Sequence, residues 1–171
     1  EEHGGAGRNI TATMAVIEEL SKGTSAVAVP YIMCACYAGM NITEVGSQPQ
    51  KRQLLPKIAE GKLIFAYGLT EPDVGSDLGS VKTTAVRDGD ELIINGAKRF
   101  CSGADEADYI YALVCSDRAG ARYKNLSFVL IPPTAPGVTV TAFECMGVRG
   151  IHTTDVTFDN VRLPLANLVG G

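Results

Sequence analysis

Residues 65–77 read F-A-Y-G-L-T-E-P-D-V-G-S-D. The stretch opens with apolar residues that suit a short buried strand, breaks at Pro72 and turns through Gly75. Thr70 and Ser76 place hydroxyl groups on either side of this turn. Small residues let a backbone approach a ligand closely, and hydroxyls and free amide N–H groups donate to anions. The pattern predicts either a plain strand-to-loop corner or a loop that binds an anionic cofactor.

Upstream of this stretch the apolar residues have helical spacing. Residues 10–20 carry apolar side chains at helical intervals and end at a small, polar stop signal. Ser47 is a suitable N-cap for a further helix over residues 48–60, which Gly61 would end. Pro56 is expected to bend or divide that helix, because proline removes a backbone donor. This part of the chain carries no evident catalytic groups.

The 21 residues between Lys22 and Glu44 carry no charge, and that length is sufficient to span a bilayer. The run contains Gly, Pro, Thr and Asn, however, and it lacks flanking basic clusters and an aromatic belt. We therefore expect a buried helix and no membrane span.

After Lys62 the helical spacing gives way to short alternating runs that are separated by turn residues. Strands at this spacing without helices between them predict an antiparallel barrel or sandwich, so the predicted fold class is α+β. We expect a partial N-terminal helical domain over residues 1–61 and a β domain over residues 62–171. The predicted strands, besides the one that opens the 65–77 stretch, are 81–86, 91–95, 109–115, 126–131, 138–143 and 153–158.

The composition excludes several classes of function. The net charge of −4 and the absence of basic clusters interleaved with aromatic residues argue against a nucleic-acid surface. Two histidines are too few for a zinc site, and no Rossmann, Walker or G-x-S-x-G motif is present. The cysteines form no C-x-x-C pair and have apolar neighbours, which predicts free buried thiols in a reducing compartment. They are Cys34, Cys36, Cys101, Cys115 and Cys145.

Four further segments accompany the 65–77 stretch. They are E-E-H-G-G at 1–5, Q-K-R-Q-L-L-P-K-I-A-E-G at 50–61, I-N-G-A-K at 94–98 and F-D-N-V-R-L-P at 158–164. In this order they resemble the acyl-CoA dehydrogenases, with part of the N-terminal helical domain followed by the middle β domain of that family. The resemblance covers nearly the whole chain and implies FAD as the cofactor and an acyl-CoA thioester as the substrate.

The resemblance also implies a role for individual residues. Thr70 would donate to the pyrimidine end of the flavin ring, and Ser102 would donate near the nitrogen that accepts hydride. Ser76 would lie near both the pyrophosphate and the acyl-CoA, and Phe100 would pack against the ring. Taken without the family, Phe100 is a core aromatic and Ser102 a turn hydroxyl. The implied cofactor-binding residues are Tyr67, Leu69, Thr70, Gly75, Ser76, Phe100, Cys101 and Ser102.

Two carboxylates and one substitution within the motif have structural interpretations. Glu71 and Asp77 are expected to accept from backbone amides rather than to act as acid and base. Val74 stands where the family more often has a small residue, and its branched side chain resists unusual backbone angles. Gly103-Ala104-Asp105 replaces the family's Asn-Gly-Gly, so this turn is expected to have a different shape.

The family's catalytic base is a carboxylate on a C-terminal helical domain. No residue of this chain matches its motif, so no catalytic residue is assigned, and the chain is expected to be a fragment that is inactive alone. The resemblance implies α,β-dehydrogenation to the trans-2-enoyl-CoA, electron-transfer flavoprotein as acceptor, a homo-oligomer, and a bacterial cytoplasmic or mitochondrial matrix location. A flavin monooxygenase or oxidase on the same scaffold, or a non-catalytic truncated subunit, are alternatives.

Overall fold

The computed structural model describes residues 1–170. Its N-terminal part is helical, as predicted. Side chains accept the first free amides of three helices: Asn9 from Ala12, Thr24 from Ala26, and Ser47 from Gln50. The helices are α1 (Ile10–Gly23), α2 (Ser25–Tyr31), a π-helical segment (Ile32–Gly39), α3 (Met40–Val45) and α4 (Gln48–Ala59).

Helix α4 confirms the predicted N-cap and is not divided by its proline, while a bend at Pro56 stays a prediction. The Ser47 hydroxyl accepts from the Gln50 N–H at 3.4 Å, and the Gln50 side chain accepts from the Ser47 N–H at 3.0 Å, which forms a capping box. Pro56 lies inside the helix without dividing it. The carbonyl that loses its donor belongs to Arg52, an exposed residue, so water is available to that group.

The apolar run forms one continuous helical stretch, Ser25–Val45, that is long and apolar enough to cross a membrane by length and composition. Only one face of it is buried, including Ala38 and Ile42, which pack with α4 and with the first strand. The prediction of a buried helix is therefore right for that face only, since Val27 and Tyr37 are exposed. The absence of a membrane span stays a prediction.

A seven-stranded sheet follows the helices and confirms the α+β fold class. Along its main path the strand order is β1-β4-β2-β3-β7-β6, and β5 pairs with β4. The sheet is mixed rather than wholly antiparallel, because β4 pairs in parallel with β1 and β2. The strands are β1 (Phe65–Gly68), β2 (Thr84–Asp88), β3 (Glu91–Lys98), β4 (Tyr109–Cys115), β5 (Leu126–Ile131), β6 (Val138–Phe143) and β7 (Thr153–Pro164).

Strand β4 explains how the 65–77 stretch leaves the sheet. Its first part pairs with β1, from Phe65 opposite Tyr109 to Gly68 opposite Ala112, and its last residue pairs with the first residue of β2. Strands β1 and β2 thus lie one after the other along the same edge of β4. Residues 69–83 form an excursion that leaves this edge and returns to it, and we call this segment the 69–83 loop.

The two faces of β4 are both buried, which accounts for its continuous apolar sequence. Ile110, Ala112 and Val114 face the main core enclosed by the sheet. Tyr111 faces the opposite side and packs with Phe65 and with residues of the helices. The helices therefore cover the outer face of the sheet beside the start of the 69–83 loop. That residues 1–61 and 62–171 are separate domains stays a prediction.

The last strand is longer than predicted. Asn160 has a φ of +51°, and its backbone N–H donates to the Asn95 side chain at 2.9 Å, at the point where the β3–β7 register shifts. This bulge lets β7 continue to Pro164 instead of ending at residue 158.

All five cysteines are free thiols, as predicted. Cys101 and Cys115 are buried and Cys34 and Cys36 are half-buried, but Cys145 is exposed, so the prediction of buried thiols is wrong for that residue. Cys145 lies in the turn region between β6 and β7, where no strand covers it.

Candidate functional site

Glu71 closes the base of the 69–83 loop. Its carboxylate accepts from the backbone N–H groups of Lys82 at 2.7 Å and Thr83 at 2.9 Å, so the outgoing chain is bound to the returning chain. The backbones of Glu71 and Val74 also bond to one another, at 2.8 and 3.2 Å, across the turn that contains Pro72. The predicted structural role of Glu71 is confirmed.

Lys98, at the end of β3, is the partner that the sequence did not reveal. Its ammonium donates to Glu71 Oε1 at 2.9 Å, with 0% of the Lys98 side chain and 4% of the Glu71 side chain exposed. Burial raises the pKa of Glu71, but hydrogen bonds from Thr83, Lys98 and Lys82 outweigh burial and leave that pKa below its ordinary value. Burial lowers the pKa of Lys98, and the neighbouring carboxylate of Glu71 opposes that shift.

The loop that follows β3 lies against the 69–83 loop. The backbone N–H of Arg99 donates to the carbonyl oxygen of Thr70 at 2.8 Å. The two sequence stretches predicted to bind one cofactor are therefore adjacent in the fold. Phe100 follows with a φ of +59° and an exposed fraction of 54%, and its ring packs edge-on against Phe143 with centroids 5.9 Å apart.

Cys101 and Ser102 have different environments. The Cys101 thiol is fully buried in the main core, and its N–H and carbonyl oxygen bond to the backbone and hydroxyl of Thr154 at 2.8 and 2.7 Å. Ser102 is half-buried, and its N–H donates to the Phe100 carbonyl at 3.1 Å. Of this triplet, Phe100 and Ser102 are the residues whose side chains a ligand can reach, while a cofactor contact by Cys101 stays a prediction.

Tyr67 lies in β1 and Leu69 at the start of the 69–83 loop, on the side that faces the helices and a small apolar cluster. The Tyr67 ring stacks on Tyr111 with centroids 5.2 Å apart, and its hydroxyl accepts from Asn41 Nδ2 at 2.8 Å. Burial raises the pKa of Tyr67 to about 12. Leu69 packs near Val74 in that cluster, and its carbonyl oxygen accepts from the Lys98 ammonium.

The tip of the 69–83 loop is exposed. Gly75 and Ser76 are both accessible, and a Cβ added at Gly75 would meet no atom within 4 Å. Asp77 accepts from the Ser80 hydroxyl at 2.6 Å and pairs with Arg122. These two contacts, the Ser80 bond first, lower the pKa of Asp77. Asp77 has a structural role, but its main partners are the side chains of Ser80 and Arg122 rather than the predicted backbone amides.

The structure shows what Val74 and the turn at 103–105, two places where the sequence departs from the family pattern, do in the fold. Val74 is buried, with 6% exposed, and packs with Val81 and Leu113, so its branched side chain anchors the 69–83 loop on the sheet. In the turn at 103–105, Gly103 has a φ of +73°, and Asp105 pairs with His152, the residue before β7, so the turn is attached to the chain that enters this strand.

These groups fit an anionic flavin dinucleotide. The hydroxyls of Thr70 and Ser102 have no hydrogen-bond partner among residues 1–170, and the half-exposed Phe100 follows Arg99, whose N–H donates to the Thr70 carbonyl. The space around Gly75 leaves its backbone open to a close approach. Hydroxyl donors suit the polar edge of a flavin ring, an aromatic side chain can pack against its face, and an open glycine suits the approach of a pyrophosphate to backbone N–H groups.

Comparison with known proteins assigns nearly the whole chain to one family. Residues 1–62 match the model described as "Acyl-CoA dehydrogenase, N-terminal domain", and residues 66–161 match "Acyl-CoA dehydrogenase, middle domain". The chain belongs to the acyl-CoA dehydrogenase family. The family predicted from the sequence motifs is therefore confirmed.

Individual relatives agree with this assignment. The "Probable acyl-CoA dehydrogenase YngJ" of Bacillus subtilis is 32% identical over 99% of this chain and 45% of its own length. An acyl-CoA dehydrogenase from Geobacillus kaustophilus is 31% identical with a TM-score of 0.92, over 99% of this chain and 45% of that one. A glutaryl-CoA dehydrogenase from Mycobacterium smegmatis in complex with FADH2 is 31% identical with a TM-score of 0.86, over 97% and 42%. The chain thus spans less than half the length of these relatives.

Proposed function

We propose that the protein containing this chain is an FAD-dependent acyl-CoA dehydrogenase that converts an acyl-CoA thioester to its trans-2-enoyl-CoA. The observation that carries the proposal is the hydrogen bond from the Arg99 N–H to the Thr70 carbonyl, at 2.8 Å. It brings the backbone of Thr70 beside the Phe100–Ser102 segment, which supports a single flavin that contacts both. Membership of the acyl-CoA dehydrogenase family supports the choice of cofactor and of substrate class.

The residues of this chain would bind the cofactor and orient it. Thr70 would donate to the pyrimidine end of the flavin ring, and Ser102 would donate near the nitrogen that takes up hydride. Phe100 would cover the ring and exclude water from that side. When bound, FAD would supply the two-electron acceptor for the α,β-dehydrogenation.

The tip of the 69–83 loop would contact the phosphate-bearing part of both ligands. Gly75 and Ser76 are exposed, and Ser76 adds a hydroxyl to the free backbone N–H groups of this turn. We propose that Ser76 faces the acyl-CoA as well as the cofactor pyrophosphate. The carboxylate that removes the α-proton matches no residue of this chain, so the catalytic residue is not assigned to it.

The wider setting of the activity is proposed from the family. We propose electron-transfer flavoprotein as the electron acceptor and a homo-oligomeric state for the full-length protein. Five free thiols support a reducing compartment, such as the bacterial cytoplasm or the mitochondrial matrix.

The test is flavin content followed by substrate reduction. The full-length protein should purify with the absorbance spectrum of oxidised flavin, and an acyl-CoA added without oxygen should bleach that spectrum. The double variant Thr70→Val/Ser102→Ala should retain less FAD. A purified protein without flavin, or a flavin that no acyl-CoA bleaches, would contradict the proposal.

The same assay distinguishes the remaining alternatives. An oxidase or monooxygenase would consume oxygen as the acyl-CoA is added, whereas a dehydrogenase requires an external electron acceptor. The isolated 171-residue chain is expected to show no flavin reduction by an acyl-CoA, because it lacks a residue that matches the family's base. Measurable reduction by that chain would refute this expectation.

A further inference from the structure

Lys98 contacts both neighbours of Thr70. Its ammonium donates to the Leu69 carbonyl oxygen at 3.1 Å and to Glu71 Oε1 at 2.9 Å. The residue after Lys98 donates its backbone N–H to the Thr70 carbonyl at 2.8 Å. Three consecutive residues of the 69–83 loop are therefore held by two consecutive residues at the end of β3.

Closure of the 69–83 loop does not explain why the charged Lys98 ammonium is buried here. Glu71 already joins the two ends of the loop by accepting from the backbone N–H groups of Lys82 and Thr83. A buried ion pair is often no more stabilising than apolar side chains of the same volume, because both charges must leave water. What Lys98 adds is a second point of attachment, at Leu69, on the other side of Thr70.

The attached segment carries a hydroxyl that the fold does not use. The Thr70 side chain is half-buried, and its hydroxyl has no partner among residues 1–170. A donor that acts on a ligand is effective only when its position is held by surrounding contacts. The backbone on both sides of this hydroxyl is held by Lys98.

We propose that Lys98, through its contacts with Leu69 and Glu71, is a positioning residue that fixes the Thr70 hydroxyl beside Phe100–Ser102 for hydrogen bonding to the flavin. This inference rests on the proposed function, since it assumes that the flavin occupies this rim. It assigns to the buried pair a purpose beyond stability.

Energetic coupling between Lys98 and Thr70 tests the proposal. In the full-length protein, Thr70→Val should weaken FAD binding roughly tenfold, as expected for one lost hydrogen bond. In the Lys98→Met background the same change should weaken binding by less than roughly twofold, because the hydroxyl is no longer held in place. FAD affinity is measured by flavin fluorescence, at a temperature where all variants are folded.

A destabilised control separates positioning from stability. Leu163→Ala shortens a buried side chain of the main core, in β7, and should reduce stability without changing the effect of Thr70→Val. A tenfold effect of Thr70→Val in both the wild-type and Lys98→Met backgrounds would overturn the inference while the proposed function stands. A full-length protein that binds no FAD at all would overturn both.

Hydrogen exchange of the Arg99 amide gives a readout that needs no cofactor. Lys98→Leu also removes the ammonium but keeps the Glu71 carboxylate that accepts from Lys82 and Thr83, and it serves if Lys98→Met does not fold. In either variant the Arg99 amide, which donates to Thr70, should exchange at least several-fold faster than in the wild type. Unchanged exchange of this amide would overturn the inference whatever the FAD affinity.

Discussion

The backbone N–H of Arg99 donates to the carbonyl oxygen of Thr70 at 2.8 Å, which joins two loops that are far apart in the sequence. One loop leaves β1 and returns at β2, and the other follows β3. Since β1 and β2 align along the same edge of β4, the excursion between them emerges where the end of β3 can meet it. The sheet topology itself therefore assembles the candidate site.

Gly75→Ala should reduce FAD affinity without reducing stability. The added Cβ would meet no protein atom within 4 Å, and Gly75 does not have a positive φ, so the fold should tolerate it. A methyl group at this tip would hold the cofactor pyrophosphate away from the backbone N–H groups. Flavin fluorescence titration should show weaker binding with an unchanged melting temperature.

Gly5→Ala is the matched control for this change. Gly5 is equally open, with no atom within 4 Å of an added Cβ, but it lies in the N-terminal segment. It should leave both FAD affinity and melting temperature unchanged. Equal FAD affinity in Gly75→Ala and the wild type would show that the backbone at Gly75 is not close to the cofactor.

Tyr111→Phe should stabilise the protein. The Tyr111 ring is fully buried between Tyr67 and Phe128, and its hydroxyl has no hydrogen-bond partner among residues 1–170. Removing a buried unsatisfied hydroxyl should raise the free energy of unfolding by about 1 kcal/mol. Urea unfolding monitored by circular dichroism measures this change.

Tyr67→Phe removes a hydroxyl from the stacked neighbour and should have the opposite effect. The Tyr67 hydroxyl accepts from Asn41 Nδ2 at 2.8 Å and links the sheet to the helices. Its loss should lower the free energy of unfolding by about 1 kcal/mol. If both variants destabilise the protein equally, the Tyr111 hydroxyl is hydrogen-bonded in the folded protein and the prediction for Tyr111→Phe is wrong.

The strands that the sequence predicted best are those with strong local signals. Residues 109–115, 126–131 and 138–143 form strands with the predicted bounds, because each is an apolar or alternating run between clusters of turn residues. The parallel pairing of β4 with β1 could not be predicted in this way, since it depends on contacts across many residues. Periodicity indicates that a strand exists but not which strand it pairs with.

The candidate site was predictable in part. The hydroxyls of Thr70 and Ser102 and the exposed ring of Phe100 were identified through motifs whose order resembles a family. Lys98 was not, because a lysine after N-G-A is normally expected at the surface, and its partner Glu71 lies 27 residues away in the sequence. A buried lysine becomes evident only when the tertiary structure supplies the carboxylate that neutralises it.

Gln50→Leu should be strongly destabilising, because this side chain joins α4 to the end of the described chain. Its Nε2 donates to the carbonyl oxygens of Ala166 at 2.9 Å and Leu168 at 2.7 Å, and its Oε1 accepts from the N–H of Gly170 at 3.2 Å. Leucine would leave these groups unpaired in a buried place. The free energy of unfolding should fall by about 3 kcal/mol, measured by urea unfolding.

Ser47→Ala is the control for the capping part of this effect. The Ser47 hydroxyl accepts from the Gln50 N–H and takes no part in the contacts with residues 166–170. Its removal should cost about 1 kcal/mol, as expected for an N-cap. A similar loss of unfolding free energy in Gln50→Leu and Ser47→Ala would show that Gln50 acts mainly through the capping box.

His152 should make the stability of the 103–105 turn depend on pH. The hydrogen bond to Asp105, and then the charge of that carboxylate, raise the pKa of His152 above its ordinary value. A raised pKa in the folded state means that the contribution of His152 to stability is fully present below the unfolded pKa of about 6.5 and is lost as pH rises through the folded pKa.

The wild type should therefore have a higher melting temperature than His152→Gln at low pH, and this difference should disappear at alkaline pH. The gap should be small, because the histidine side chain is largely exposed. Asp105→Asn should remove the same pH-dependent part, and a gap that widens as the pH rises would contradict the pairing.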